Sequence, residues 1–482
     1  MRLNIFLGII AFIFLILLAG LGNVQIINGA RYLVLSEENR IKHIPVDAPR
    51  GIIYDRNMEP LVVNRPSFNL LIIPEELSKH PKAVLLLADI MQIDSDYIWD
   101  KMNKNKYIGF VPVALSKDIF KKQVAQIEER SIYLPGVFIT VSSRREYLKG
   151  NFLSHVLGYV GEINSDELKR IENYDSSMGD IIGKDGVESF YDKYLRGQKG
   201  GKQVEVTAFG RYERVLGQKD PVKGNDIVLS IDARIQKIVE DVFKDEVGSV
   251  VILEPNTGDV LAMCSKPSFD PNVFVDSQKK KELKELLLDT KNKPIMNRSI
   301  SALYPPGSIF KLVVGMAGLE ENIVDQYQIF DCPGWIKIGR IFNCWYDEGH
   351  SFQNIVNAIK NSCNVYFYRV GQMLGVDTIS KYSSDFGLGK KTYIELPGEK
   401  QGLVPSSKWK KQQYKQDWYA GETANFSIGQ GYLLVTPLQL ARLPSVIATR
   451  GVLSQPIIVK KIIHNDGETF DALIQSKKQL GY

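Results

Sequence analysis

Histidine and cysteine are scarce in this 482-residue chain, which has five of one and four of the other. Four cysteines cannot staple a chain of this length, so its stability has to come from apolar cores rather than a disulfide framework. His43, His80, His155 and His464 are scattered singly and give no support to a Ser-His-Asp arrangement. An activated serine here needs another base. Low-complexity blocks and long runs of one charge are also missing. The net charge of +5 is diffuse and accompanies no nucleic-acid motif, which argues against nucleic acid as a partner. Apolar residues at 44% and charged residues at 24% are those of a folded protein, and the length exceeds a single core, so two or three domains are expected.

Only one long hydrophobic run is present. Ile5 to Gly22 carries no charge, with Arg2 before it and Arg31 the next charge after it. At ~1.5 Å per residue such a helix crosses most of a bilayer core of about 30 Å. A buried core helix, or a signal peptide cleaved near Leu18-Ala19-Gly20-Leu21, shares the pattern. The length of the run favours an uncleaved anchor, with residues 1–30 as a cytoplasmic tip and transmembrane helix.

The most informative stretch is Tyr304-Pro305-Pro306-Gly307-Ser308-Ile309-Phe310-Lys311. Pro-Pro-Gly cannot be helix interior, so a helix is expected to begin at or near Ser308, where unpaired N–H groups favour a developing oxyanion. Positions i and i+3 share a face, which brings the Lys311 amine within reach of the Ser308 hydroxyl. A lysine whose pKa is lowered by burial takes the serine's proton. Ser277-Gln278-Lys279-Lys280 and Ser407-Lys408-Trp409-Lys410 fit the same Ser-x-x-Lys pattern, but they lie in lysine-rich, solvated-looking stretches, whereas Lys311 opens an apolar run. A second element, Asn361-Ser362-Cys363-Asn364, presents Ser362 and Asn364 from a loop to relay protons or bind a substrate amide; Ser67-Phe68-Asn69 matches it as well.

Together these residues resemble the penicillin-recognising serine transferases. Gly224-Asn225-Asp226, Glu254-Pro255-Asn256-Thr257-Gly258, Pro267-Ser268-Phe269-Asp270-Pro271 and Asn297-Arg298 look like the approach to the active-site serine in class B penicillin-binding proteins. Cys344-Trp345, Gly349-His350, Phe386-Gly387-Leu388-Gly389 and Ile428-Gly429-Gln430-Gly431-Tyr432 look like the elongation type, penicillin-binding protein 2. Pro49-Arg50-Gly51-Ile52-Ile53-Tyr54-Asp55-Arg56-Asn57 and Gly183-Lys184-Asp185-Gly186-Val187-Glu188 resemble that family's non-catalytic pedestal, with Met58 where a turn glycine is usual.

The resemblance implies an α+β fold in three parts: the anchor, a dimerisation-type pedestal over 31–220, and over 221–482 a transpeptidase domain of antiparallel sheet with helices on its faces. Polar Pro-Gly sequence near Lys219 to Asn225 marks the boundary, and Lys82 to Lys106 reads as a helical subdomain. The resemblance also implies peptidoglycan stem peptides and β-lactams as ligands, and partners in the elongation machinery, including a shape/elongation-type glycosyltransferase. It places the chain in the bacterial cytoplasmic membrane with its catalytic domain in the periplasm. Asp47, Asp55, Arg56 and Glu188 are expected in turns and salt bridges rather than in a carboxylate site.

Cys332, Cys344, His350 and Cys363 fall in one segment as Cys-x11-Cys-x5-His-x12-Cys, three thiolates and an imidazole suited to tetrahedral zinc. Some penicillin-binding protein 2 sequences resemble this with acidic residues in place of cysteine. A Cys332–Cys344 disulfide, or unligated thiols, are the alternatives. Cys363, between Ser362 and Asn364, is expected to point away from the cleft they face, so that a metal braces their loop from behind.

No Lys-Thr-Gly or Lys-Ser-Gly occurs; Lys391-Thr392-Tyr393 is the nearest, and Pro444 interrupts an expected helix over Leu438 to Ile447. The family resemblance puts that third element beyond Tyr482, so the expectation is a chain incomplete at its carboxy-terminus. The leading reading is a D,D-transpeptidase acting through Ser308. A catalytically impaired remnant or scaffold of the elongation machinery is the second, and a β-lactam sensor or hydrolase the third.

Overall fold

The computed structural model describes residues 2–29, 41–104, 112–170, 180–206, 212–244, 246–276, 278–471 and 477–479. Ser277 and the start of the pedestal range, 30–40, lie outside them. The chain folds into two compact units, each discontinuous in sequence.

The first unit comprises Met1–Arg50, Asn64–Arg144 and Gly197–Gly224. Its Ile-, Leu- and Phe-rich start forms the helix Arg2–Gly22, which continues as a wider turn over Asn23–Ile27. Ile10–Ile27 is long and apolar enough to cross a membrane, and none of it is buried within the protein. Ile41–Val46, Gly200–Val206 and Tyr212–Lys219 form an antiparallel ribbon with the middle segment at its centre. The expected helical subdomain is present as Pro81–Met91 and Ser95–Lys104. Pro81 starts the first helix, where a missing N–H costs nothing, and Gln92 ends it in the left-handed region. Val84, Leu87, Ile98 and Met102 pack on Leu70, Ile72 and Leu115.

The second unit comprises Gly51–Val63, Arg145–Arg196 and Asn225–Tyr482. Ile53–Tyr54 runs parallel to Asp226–Leu229, which pairs antiparallel with Val459–Ile463. The hairpin Gly248–Leu253 and Val260–Lys266 is antiparallel, with the helices Ala233–Val242 and Pro437–Ala448 packed on it. Pro444 sits inside Pro437–Ala448. The helix survives because Thr436 and Gln439 form a reciprocal cap at its start and Leu438, Leu443 and Val446 are buried along it.

Carboxylates of the pedestal-like segments do structural work. Asp55 is buried and accepts from the N–H groups of Asn57, Glu59 and Ala233, and Met58 adopts φ +66° in that turn. Glu188 is buried against Arg145 at 2.6 Å.

The largest core surrounds two helices, Lys311–Glu320 and Asn364–Leu374. Phe310, Val313, Val314 and Ala317 of one meet Val365, Tyr366, Phe367 and Val370 of the other, with Ala424 and Phe426 of the helix Ala420–Ser427. Gly371 is needed for that third contact, because a Cβ there stands 1.7 Å from Ser427 Oγ.

Candidate active site

Tyr304 pairs with Val435 through two backbone hydrogen bonds of 2.9 Å, and the Gly307 N–H donates to Gly429 O at 2.9 Å. The Pro-Pro-Gly turn is thereby fixed at both ends. Gly429, at φ +73°, has to be glycine: a Cβ there stands 2.2 Å from Gly307 O. Gly307–Phe310 form a 3-10 turn that leads into Lys311–Glu320, so the helix starts with Ser308 in its opening turn. Phe310 is buried and stacks on Phe426 at 5.3 Å, which anchors the turn and leaves Ser308 exposed while Lys311 is 2% exposed.

The helix Ile355–Lys360 ends in a turn whose Ser362 has φ +50°, a region costly for a residue with a Cβ. Cys363 then caps Asn364–Leu374. The turn aims both Ser362 and Asn364 at Lys311. Lys311 Nζ lies 2.8 Å from Ser362 O, 2.9 Å from Ser362 Oγ and 2.7 Å from Asn364 Oδ1. Ser362 Oγ lies 2.9 Å from Ser308 Oγ. The amine's three polar contacts are thus spent on Ser362 and Asn364, and its path to Ser308 runs through the Ser362 hydroxyl instead of the direct contact that helical spacing suggests.

Burial pushes the Lys311 amine down to about 8, with partial opposition from the negative charge available at Cys344 and Cys363. Two of its contacts are to atoms that only accept, a carbonyl and an amide oxygen. A neutral amine donates its two N–H bonds there and keeps its lone pair for the Ser362 O–H.

Gly307, Ser308, Trp345, Ser362, Asn364, Ile428 and Gln430 line a cleft of about 350 Å³. Trp345, Ile428 and Gln430 were visible in sequence only as parts of family-like segments, with nothing to mark them as site residues.

The competing motifs separate cleanly. Ser407 gives its N–H and hydroxyl to Asp377. Lys410 is 1% exposed, not solvated as its lysine-rich surroundings suggest; Glu422 holds its ammonium with both oxygens, and the Tyr419 ring lies 4.2 Å away. A lysine held as a cation by a carboxylate is no base. Asn69 of the third match donates to Ser142 at 3.0 Å, in a strand.

Cys332, Cys344, His350 and Cys363 converge, their ligand atoms all within 4.8 Å of one another. His350 Nδ1 lies 3.7 Å from Cys332 Sγ and 3.5 Å from Cys344 Sγ. All the cysteines are free thiols, so the Cys332–Cys344 disulfide is not formed. Cys344 is held well below the usual thiol range by a hydrogen bond from Cys363, and the same bond, with burial, raises Cys363. Cys344 Sγ also accepts from Asn364 N–H at 3.4 Å, so the cluster touches the turn that carries Ser362 and Asn364.

A family model described as the penicillin-binding protein dimerisation domain matches residues 45–229, and one described as the penicillin-binding protein transpeptidase domain matches 248–480. The chain is similar to peptidoglycan D,D-transpeptidase MrdA of Escherichia coli K12, 34% identical over 450 residues that span 92% of this chain and 71% of that protein. Its structure is similar to penicillin-binding protein PBP2 of Helicobacter pylori, solved in complex with MreC, with a TM-score of 0.78 and 30% identity, covering 90% of this chain and 81% of that one. It is also similar to a chain from a peptidoglycan synthase complex described for its structural coordination of polymerization and crosslinking, with a TM-score of 0.71 and 30% identity, covering 99% and 82%.

Proposed function

The chain belongs to the MrdA-type class B penicillin-binding proteins, serine-type peptidoglycan D,D-transpeptidases, and from that premise we propose how its own residues carry the reaction. Ser308 Oγ attacks the penultimate D-Ala carbonyl of a stem peptide. Its proton passes to Ser362 Oγ as the Ser362 proton passes to the neutral Lys311 amine, and the resulting ammonium donates to Ser362 O, Ser362 Oγ and Asn364 Oδ1. Collapse of the tetrahedral intermediate returns a proton along the same path to the departing D-Ala amine and leaves the acyl group on Ser308. An acceptor amine from another strand then attacks the ester, its proton follows the reverse path, and Ser308 is released with the cross-link formed. Asn364 holds the lysine and lines the cleft where a substrate amide lies.

The observation that carries this reading is the Ser308–Ser362–Lys311 chain, two contacts of 2.9 Å each, within the range where general acid–base transfer operates. The test is incubation with a pentapeptide donor and an amine acceptor. One D-Ala released per exchanged product supports the reading; release without exchange, or β-lactam turnover without a lasting adduct, supports a hydrolase instead.

The apolar amino-terminal helix anchors the chain in the cytoplasmic membrane with the catalytic unit in the periplasm. The elongation machinery supplies its partners, since a relative is solved with MreC and another within a peptidoglycan synthase complex. Cys332, Cys344, His350 and Cys363 suit one zinc ion by donor type and mutual approach. When bound, that ion supplies structural bracing of the Ser362 turn, with no part in the acyl transfer.

A further inference from the structure

Trp345 is anomalous. Its side chain is 62% exposed, so burial of its ring contributes little, yet its indole N–H is shared between two carbonyl oxygens, Asn361 O at 3.0 Å and Ser362 O at 3.1 Å. These carbonyls belong to the turn in which Ser362 holds φ +50°. The N–H groups of that turn are already used: Asn361 donates to Asn357 O, Ser362 to Ile359 O, Cys363 to Ala358 O and Asn364 to Cys344 Sγ. Ser362 O itself takes two donors, the indole and the Lys311 amine.

We propose that Trp345 is a positioning residue for acylation, its indole N–H holding the left-handed turn in which Ser362 bridges Ser308 and Lys311. The inference rests on the reading of Ser308 as nucleophile given above. Without the indole donor, Ser362 O is held from the protein side by the amine alone, and the turn is free to relax toward ordinary φ values, which rotates the Ser362 hydroxyl out of line. The ring, by contrast, is kept in place by its edges toward His350 at 5.3 Å and Tyr346 at 5.9 Å, contacts that phenylalanine preserves.

This role separates from that of a stacking platform for substrate in the same cleft. Trp345→Phe keeps an aromatic face and removes only the donor; Trp345→Ala removes both. Acylation of the full chain by a fluorescent penicillin, followed over a range of concentrations, resolves the non-covalent dissociation constant from the limiting acylation rate. Both variants are expected to lower the limiting rate by about 3–10-fold, the range of one net hydrogen bond, and Trp345→Phe leaves the dissociation constant and the thermal midpoint unchanged. A wild-type limiting rate in Trp345→Phe overturns the proposal, as does a loss confined to the dissociation constant. Absence of any Ser308 adduct in the wild-type chain overturns the underlying reading, and the inference falls with it.

Discussion

Replacing Ser362 by alanine tests the relay at its narrowest point. The substitution removes one oxygen, and with it both the 2.9 Å contact to Ser308 Oγ and the 2.9 Å contact to Lys311 Nζ. Lys311 keeps its contact to Asn364 Oδ1 and to the backbone carbonyl of residue 362, so it stays placed but disconnected. Positioned proton transfer contributes about 10²–10⁴ in rate; a water in the hydroxyl's place restores part of it, so the limiting acylation rate falls by about 10²–10³. Because Ser362 and Lys311 act as one unit, Lys311→Ala and the double variant lie near the same residual rate rather than multiplying their losses. Stopped-flow acylation with a fluorescent penicillin measures all three. Multiplicative losses, or a Ser362→Ala rate near that of the wild type, refute a relay through Ser362 and return the base role to a direct Ser308–Lys311 contact.

The acylation rate constant also follows the lysine. Its pKa is lowered to about 8 and its neutral form is the base, so the rate rises with pH below that value and levels off above it; a flat profile across pH 6–9 (about the range where the amine titrates) contradicts the assignment. Metal analysis of protein purified without chelator is expected to give about one zinc per chain, and no metal together with a Cys332–Cys344 disulfide by mass spectrometry excludes the site. Lys410→Ala leaves Glu422 without its cation in an aromatic surround, and thermal or urea unfolding is expected to show a loss of about 3–5 kcal/mol; an unchanged midpoint means the pair is not part of the structure's support.

What the sequence made legible was local. Pro-Pro-Gly, the start of a helix at Ser308 and the one-turn spacing to Lys311 follow from backbone restrictions within eight residues, and they appear in the structure nearly as read. The bridging role of Ser362 was not legible, because it depends on contacts across 51 and 54 positions of chain and on a positive φ that nothing about a serine announces. Lys410 misled for the same reason: its burial is set by Glu422 and Tyr419, brought in by the following helix, while its immediate neighbours are polar. The sheet pairing of Ile53–Tyr54 with Asp226–Leu229, and of the latter with Val459–Ile463, joins segments that no periodicity relates. The thiol and imidazole cluster was readable as a spacing, but its contact with Asn364 N–H through Cys344 was not.

The central claim is that Ser308, and not another Ser-x-x-Lys serine, forms the acyl-enzyme. Intact-mass measurement of the full chain after penicillin treatment, followed by peptide mapping, tests it most directly. A single adduct on the peptide carrying Ser308, absent from Ser308→Ala, is the predicted result; an adduct on Ser277 or Ser407, or one that persists in Ser308→Ala, contradicts it.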